Sequence, residues 1–230
     1  MPFKGGKTQG QISNKKNLYL KNRSIYPLMI KVYLPAILIL CSIALLKLIF
    51  NLDIGKITRD PAQITGSHPL LGLLSNIGIL IWCSTAAICY FSSWLISKKK
   101  DNKNIISFFT SSAVVTGLLM FDDLFLFHDF LFPEYLKINE KIVYLSYGII
   151  CTMYLFKFKR IILQADYIFL LLAFIFFAFS ICVDIAMEHN IWVTGMLLFE
   201  DGFKFLGILS WAIFYIYTSF LFIKKDSKTG

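Results

Sequence analysis

The sequence predicts an all-α, polytopic membrane protein, a six-transmembrane-helix bundle with both termini cytoplasmic. Of its 230 residues, 57% are hydrophobic and only 16% are charged, whereas soluble domains contain about 25% charged residues. Nearly uncharged runs of about 18 residues or more recur along the chain, and runs of that length can cross a bilayer as helices. Basic residues gather in alternate connections, which is the pattern that sets the orientation of a membrane protein.

The apolar segments define the predicted domain organisation. Six spans are expected, at about 26–50, 69–97, 105–132, 141–158, 167–187 and 193–223. Pro133 is expected to end the third span, because proline disfavours a helix interior. The chain therefore divides into a basic cytoplasmic tail (1–24), a six-helix transmembrane domain (25–223) and a short basic cytoplasmic tail (224–230).

The charges of the connections determine the predicted orientation. The basic group comprises the N-terminal tail, the 98–103 and 157–160 connections and the C-terminus, while the connections 51–68, 134–141 and 188–194 are neutral or acidic. The two groups alternate, so both termini are predicted to be cytoplasmic. The net charge of +9 then reflects topology, and nucleic-acid binding is not expected. An abundance of Lys, Ile, Phe and Asn suggests a bacterial inner membrane.

Three charged clusters interrupt the apolar helices at one predicted depth. They contain Asp122, Asp123, His128 and Asp129; Asp184, Glu188 and His189; and Glu200, Asp201 and Lys204. Seventeen uncharged residues, 105–121, precede the first cluster, seventeen, 167–183, precede the second, and nineteen, 205–223, follow the third. At about 1.5 Å per residue, such runs rise about 26–28 Å through a hydrocarbon core of about 30 Å. The clusters are therefore predicted to meet near the non-cytoplasmic face.

The remaining inward-running spans contribute polar side chains at the same level. These are His68, Ser75 and Asn76 on the second span and Glu140, Tyr144 and Tyr147 on the fourth. Apolar residues continue beyond each charged cluster, which is typical of helices that surround a polar pocket. We predict that Asp129, Asp201, Ser75 and Asn76 line this pocket. The alternative is a belt of solvated charges at the interface.

The residue types in these clusters suggest a metal site. A charge at the centre of a membrane helix costs about 2.5–3.5 kcal/mol on insertion scales, so ionisable groups there pair, bind ligands or carry function. Glu200 and Lys204 are spaced i,i+4 and can pair on one helical face. Carboxylates with imidazole suit a divalent metal such as Zn, Fe or Mn. The predicted metal ligands are Asp123, His128, Asp184, Glu188 and His189, and the predicted catalytic residues are Glu200, Lys204 and Asp122.

The function predicted from these features is a metal-dependent, membrane-embedded enzyme that acts on a lipid-like substrate. The lipid bilayer and a lipid or small-molecule ligand are the expected partners. Two alternatives stay open: a proton- or cation-coupled transporter or channel, and a non-catalytic accessory subunit of a membrane complex. Whether the protein is an enzyme is therefore not fixed by the sequence.

One further pattern involves the last span. Lys204, with Glu200 four residues earlier, loosely resembles the Schiff-base lysine and counter-ion of microbial rhodopsins. This resemblance implies a retinylidene pigment. Microbial rhodopsins have seven spans, whereas six are counted here, and Lys204 is predicted near an edge of the membrane.

Overall fold

The computed structural model describes residues 26–50, 55, 58–59, 61–99, 102–188 and 195–228. All regular elements in these ranges are helical, which confirms the predicted all-α class. In chain order they are α1 (Tyr26–Phe50), α2 (Pro61–Thr65), α3 (Leu73–Lys99), α4 (Lys103–Phe125), the π-helical turn π1 (Phe127–Leu131), α5 (Phe132–Tyr135), α6 (Glu140–Ile162), α7 (Ile168–Glu188) and α8 (Met196–Lys228).

Six helices in the described part of the chain are long and apolar enough to span a membrane, as predicted. They are α1, α3, α4, α6, α7 and α8. Their apolar side chains are largely exposed, which suits helices whose outer faces contact lipid. The protein is therefore an all-helical chain with the composition of a membrane protein.

The helices belong to two compact units that divide between Leu71 and Gly72. The first unit contains α1, a 25-residue helix with Pro35 inside it, and the short α2. In the second unit α3 packs against α4 and α8, α8 also packs against α7, and α6 packs against α4. The second unit contains the charged residues described below.

Aromatic side chains form the core of the second unit. The ring of Trp211 lies 5.7 Å from that of Trp82 and 5.3 Å from that of Tyr215, measured between centroids. Hydrogen bonds join these rings to other helices, because aromatic N–H and O–H groups need partners when buried. Trp211 Nε1 donates to Thr116 Oγ1 at 3.0 Å, and the Tyr215 hydroxyl donates to that of Tyr154 at 2.9 Å. The core thus fixes α4, α6 and α8 relative to α3.

The end of α4 differs from the prediction. A continuous helix to about residue 132 was expected, but α4 ends at Phe125 and Leu126 adopts a left-handed conformation, with φ of 52°. Pro133 does not terminate the span. It lies in the first turn of α5, where its missing N–H has no helical partner to lose. The chain therefore folds back at Leu126, and this turn brings His128 next to Asp122.

Candidate functional site

Asp122, near the end of α4, and His128, in π1, form the centre of the charged region. His128 Nδ1 lies 2.5 Å from Asp122 Oδ2, and the backbone N–H of His128 donates to Asp122 Oδ1 at 3.1 Å. From α6, the Tyr147 hydroxyl also donates to Oδ1, at 2.7 Å. Both Asp122 and His128 are buried. The Asp122 carboxylate therefore has three hydrogen-bond contacts, one of them with the backbone of His128.

The other ring nitrogen of His128 contacts Asp129, and the Glu140 carboxylate lies close to both residues. Its Nε2 lies 2.9 Å from Asp129 Oδ1. One potential ligand atom from each of His128, Asp129 and Glu140 lies within 4.8 Å of the other two. Glu140 is at the first position of α6, where Asn139 caps the helix by accepting a hydrogen bond from the N–H of Lys141. One imidazole and two carboxylates from π1 and α6 therefore converge.

The charges around π1 shift the protonation of its two ionisable residues. Burial alone would lower the pKa of His128, but hydrogen bonds to Asp122 and Asp129 and the charges of these carboxylates raise it to about 9. Burial acts to raise the pKa of Asp129, yet the hydrogen bond and charge of His128, with the charge of Lys204, lower it. Without a bound cation, His128 therefore carries a proton at neutral pH and both carboxylates stabilise it.

A second pair lies beside this group. The Lys204 ammonium of α8 forms an ion pair with Asp123 Oδ1, and Trp82 Nε1 of α3 donates to Asp123 Oδ2 at 3.1 Å. The Asp123 side chain is 7% exposed and the Lys204 side chain 36%. The ammonium also interacts electrostatically with Asp129 and Asp122. The ion pair and the His128 group therefore belong to one site.

The acids of α7 and the start of α8 lie within electrostatic reach of the same site. Glu200 interacts with Asp184, Asp201 and Lys204, and its interaction with Asp129 is weaker. Glu140 interacts with Asp184 as well as with Asp129. Side chains from all three predicted clusters therefore lie within electrostatic range of one another. We call the set Asp122, Asp123, His128, Asp129, Glu140, Asp184, Glu200 and Lys204 the polar site.

Comparison with known proteins places the chain in a family. DUF8692, described as a domain of unknown function, matches residues 33–218. The chain belongs to this family. Comparison with curated proteins and with solved structures gives no match. The segment shared with DUF8692 contains every residue of the polar site.

Four further predicted residues of this DUF8692 protein are Ser75, Asn76, Glu188 and His189. Ser75 and Asn76 are exposed in the first turn of α3, and no hydrogen bond from either to the polar site is found among the described residues. Glu188 ends α7, but its side chain lies outside the described residues, as does the whole of His189. The lining of the pocket by Ser75 and Asn76 and the binding of a metal by Glu188 and His189 stay predictions.

The expected pairing of Lys204 with Glu200 is replaced by the pairing with Asp123. Helical spacing indicated that Lys204 could reach Glu200 on its own helix, but the ammonium pairs with a buried carboxylate on α4. Asp123 is the better partner because it lies in the interior, where an uncompensated charge costs more. Glu200 interacts electrostatically with Lys204, and no ion pair between the two is found in the described part of the chain.

Two residues that sequence reasoning did not assign to the site contribute to it. Glu140 was predicted to lie at the level of the clusters, but its position at a helix start did not reveal that it approaches His128. Trp82 lies in the middle of an apolar run, and nothing in its spacing indicated a hydrogen bond to Asp123. The presence of a buried carboxylate that needs a donor is the only signal that could have found it.

Proposed function

We propose that this protein is a metal-dependent enzyme embedded in the membrane that acts on a lipid-like substrate. One observation carries the proposal: ligand atoms of His128, Asp129 and Glu140 lie within 4.8 Å of one another. Imidazole and carboxylate donors suit Zn, Fe or Mn. Four ligands around a metal at about 2.1 Å lie about 3.4 Å apart, so small side-chain movements would close the set around a cation.

The surrounding residues support catalysis in addition to metal binding. A metal ion held in such a site polarises carbonyl or phosphoryl oxygens and lowers the pKa of bound water. Glu200 is half-buried near Asp184 and Lys204 and is our candidate proton acceptor. Lys204, held by Asp123, is our candidate for stabilising negative charge on a substrate.

The location of the site supports a substrate drawn from the bilayer. Asp122 and Asp123 lie in the last turn of an apolar helix, Glu140 in the first turn of another and Lys204 near the start of a third. With the orientation that the loop charges favour, all of these ends lie at the non-cytoplasmic boundary of the membrane. A lipid head group occupies the same depth, so it could reach the site by lateral diffusion.

Metal analysis of the full-length protein tests the proposal. Protein purified in detergent is to be stripped with a chelator, reloaded with Zn²⁺, Mn²⁺ or Fe²⁺ and assayed for bound metal. We expect one tightly bound ion per chain in the wild type and none in His128→Gln. His68→Gln is the matched control, because His68 is exposed before α3 and accepts a hydrogen bond from its own loop.

Two results would contradict the proposal. The first is the absence of stoichiometric metal after reloading, and the second is equal binding by the wild type and His128→Gln. Catalysis is tested next by incubating the metal-loaded protein with a mixed lipid extract and identifying products by mass spectrometry. New products are expected with the wild type and not with Glu200→Gln, which keeps the size of the side chain but removes its charge.

Cation- or proton-coupled transport is the second candidate function. The observation in its favour is that Asp122 and Asp123 are buried within a helix long and apolar enough to span a membrane, because acids in such positions often relay charge. Flux of protons or cations into liposomes containing the protein would support this function if Asp184→Asn abolished it. A metal-dependent lipid reaction without flux would exclude it.

A further inference from the structure

The hydrogen bonds of Asp122 bear on the orientation of the His128 ring. The Asp122 carboxylate is buried and takes part in three hydrogen bonds. Oδ1 accepts from the backbone N–H of His128 at 3.1 Å and from the Tyr147 hydroxyl at 2.7 Å, while Oδ2 contacts His128 Nδ1 at 2.5 Å. The carboxylate therefore contacts both the backbone and the ring of His128.

This double contact fixes the orientation of the imidazole. With the backbone N–H and Nδ1 both directed at Asp122, the opposite nitrogen, Nε2, is directed at Asp129, 2.9 Å away. A neutral histidine protonated on Nδ1 has its lone pair on Nε2. A cation between His128, Asp129 and Glu140 would therefore meet the nitrogen that can bind it.

We propose that Asp122 is a positioning residue, supported by Tyr147, that makes Nε2 the metal-binding nitrogen of His128. This inference rests on the metal site proposed above. In it Asp122 acts through His128 and does not contact the substrate. A carboxylate that accepts the second N–H of a metal-binding histidine fixes its tautomer and raises its basicity. Loss of such a partner lowers metal affinity about 10- to 100-fold.

The turn at Leu126 and the packing of α6 place His128 and Tyr147 beside Asp122. Leu126 turns the chain through a left-handed conformation, and π1 then returns His128 to the carboxylate six residues earlier. Tyr147 approaches from α6, the helix that begins with Glu140. The Tyr147 hydroxyl thus connects Asp122, which orients His128, to α6, the helix that carries Glu140. The orientation of His128 therefore depends on the packing of α6.

Zinc binding and nitrogen NMR on the full-length protein in detergent test the inference. Histidines are to be labelled with ¹⁵N, and the His128 signals identified by their loss in His128→Gln. With Zn²⁺ bound, we expect Nε2 to lose its proton and shift while Nδ1 keeps its proton. Zinc affinity, measured by competition with a chelator, should fall about 10- to 100-fold in Asp122→Asn and less in Tyr147→Phe. Tyr135→Phe, which changes an exposed tyrosine of α5, should bind as the wild type does.

Each adverse result has a distinct meaning. Zinc bound through Nδ1, or an unchanged affinity in both Asp122→Asn and Tyr147→Phe, would overturn the positioning role while leaving the metal site intact. An absence of zinc binding by the wild type would overturn the proposed function, and this inference with it. If Asp122→Asn does not fold, the nitrogen assignment in the wild type and the affinity of Tyr147→Phe decide the question.

Discussion

Lys204 of α8 pairs with Asp123 of α4, which lies 81 positions earlier in the chain. This ion pair joins the two helices at the polar site. Trp82 of α3 donates to the same carboxylate, so three helices meet at Asp123. A carboxylate with 7% of its side chain exposed needs such compensation, because a buried charge without a partner is strongly destabilising. The pair therefore contributes to helix packing as well as to the electrostatics of the site.

Replacing Lys204 by Met should destabilise the protein. The change leaves the Asp123 charge buried, and among the described residues the Trp82 N–H is then its one hydrogen-bond partner. Breaking a fully buried pair costs about 3–5 kcal/mol, and we expect about 2–3 kcal/mol here because a third of Lys204 is exposed. Thermal unfolding or denaturation by SDS in mixed micelles would measure the loss.

Two further variants decide whether charge is the cause. The double variant Asp123→Asn, Lys204→Met removes both charges and should recover most of the lost stability. Lys159→Met, at an exposed position near the end of α6, should change stability by less than about 0.5 kcal/mol. A double variant as unstable as Lys204→Met would show that the methylene packing of Lys204 matters and its charge does not.

The level of the three charged clusters along their helices was predictable from the sequence. The count of uncharged residues before Asp122 and Asp184 and after Lys204 needs only the rise of a helix and the thickness of a bilayer. These two quantities vary little between proteins. The three clusters consequently meet in the structure, and six apolar helices are found in the described residues where six spans were predicted.

Rotation about the helix axes and the break in α4 were not predictable from spacing. Helical spacing favoured a local partner for Lys204, whereas the choice of Asp123 depends on how α8 turns relative to α4. The break at Leu126 depends on hydrogen bonds between Asp122 and His128, which outweigh the helix preference of the apolar run between them. Such contacts arise from tertiary packing, and local patterns do not encode them.

The metal-free protein should lose stability as the pH rises from 6 to 10. Folding raises the pKa of His128 from 6.5 to about 9, so the folded state holds this proton more tightly than the unfolded state. The resulting stabilisation is complete below pH 6.5, declines between pH 6.5 and 9 and is absent above that range. A shift of this size corresponds to about 3 kcal/mol. Denaturation with chelator present, at pH 6 and at pH 9.5, measures the difference.

Matched histidine and carboxylate variants test whether His128 is responsible. Asp129→Asn removes one of the two carboxylates that raise the pKa of His128, so the pH dependence should shrink and move to lower pH. His68→Gln removes an exposed histidine and should leave the pH dependence as it is in the wild type. Equal stability of the wild type at pH 6 and pH 9.5 would mean that His128 is not held in its protonated form.

The left-handed residue Leu126 should tolerate Asn or Gly better than a β-branched residue. Its φ of 52° strains an L-amino acid by about 1–2 kcal/mol. Leu126→Asn should therefore be neutral or stabilising, while Leu126→Val should destabilise the protein by more than about 1 kcal/mol and weaken zinc binding at His128. Leu124→Val, at an exposed position in the regular part of α4, is the control. Similar losses in Leu126→Val and Leu124→Val would argue against a strained turn.

Gly207 permits the close approach of α8 to α7, and Gly207→Ala should therefore destabilise the protein. A Cβ added at this position would lie 2.5 Å from Cε1 and 2.6 Å from Cδ1 of Phe177. The Phe177 ring cannot move aside freely, because it stacks on Trp82 with centroids 5.9 Å apart. Overpacking of this kind costs about 1–3 kcal/mol.

The same substitution at an uncrowded glycine should have the opposite sign. A Cβ at Gly148 of α6 would meet no atom within 4 Å, so Gly148→Ala should gain up to about 1 kcal/mol from helix propensity alone. Unfolding midpoints of the two variants in one detergent compare them directly. Because both changes add one methyl group to a helix, opposite shifts isolate the contact with Phe177. A stabilised Gly207→Ala would mean that α7 and α8 pack less closely than this contact requires.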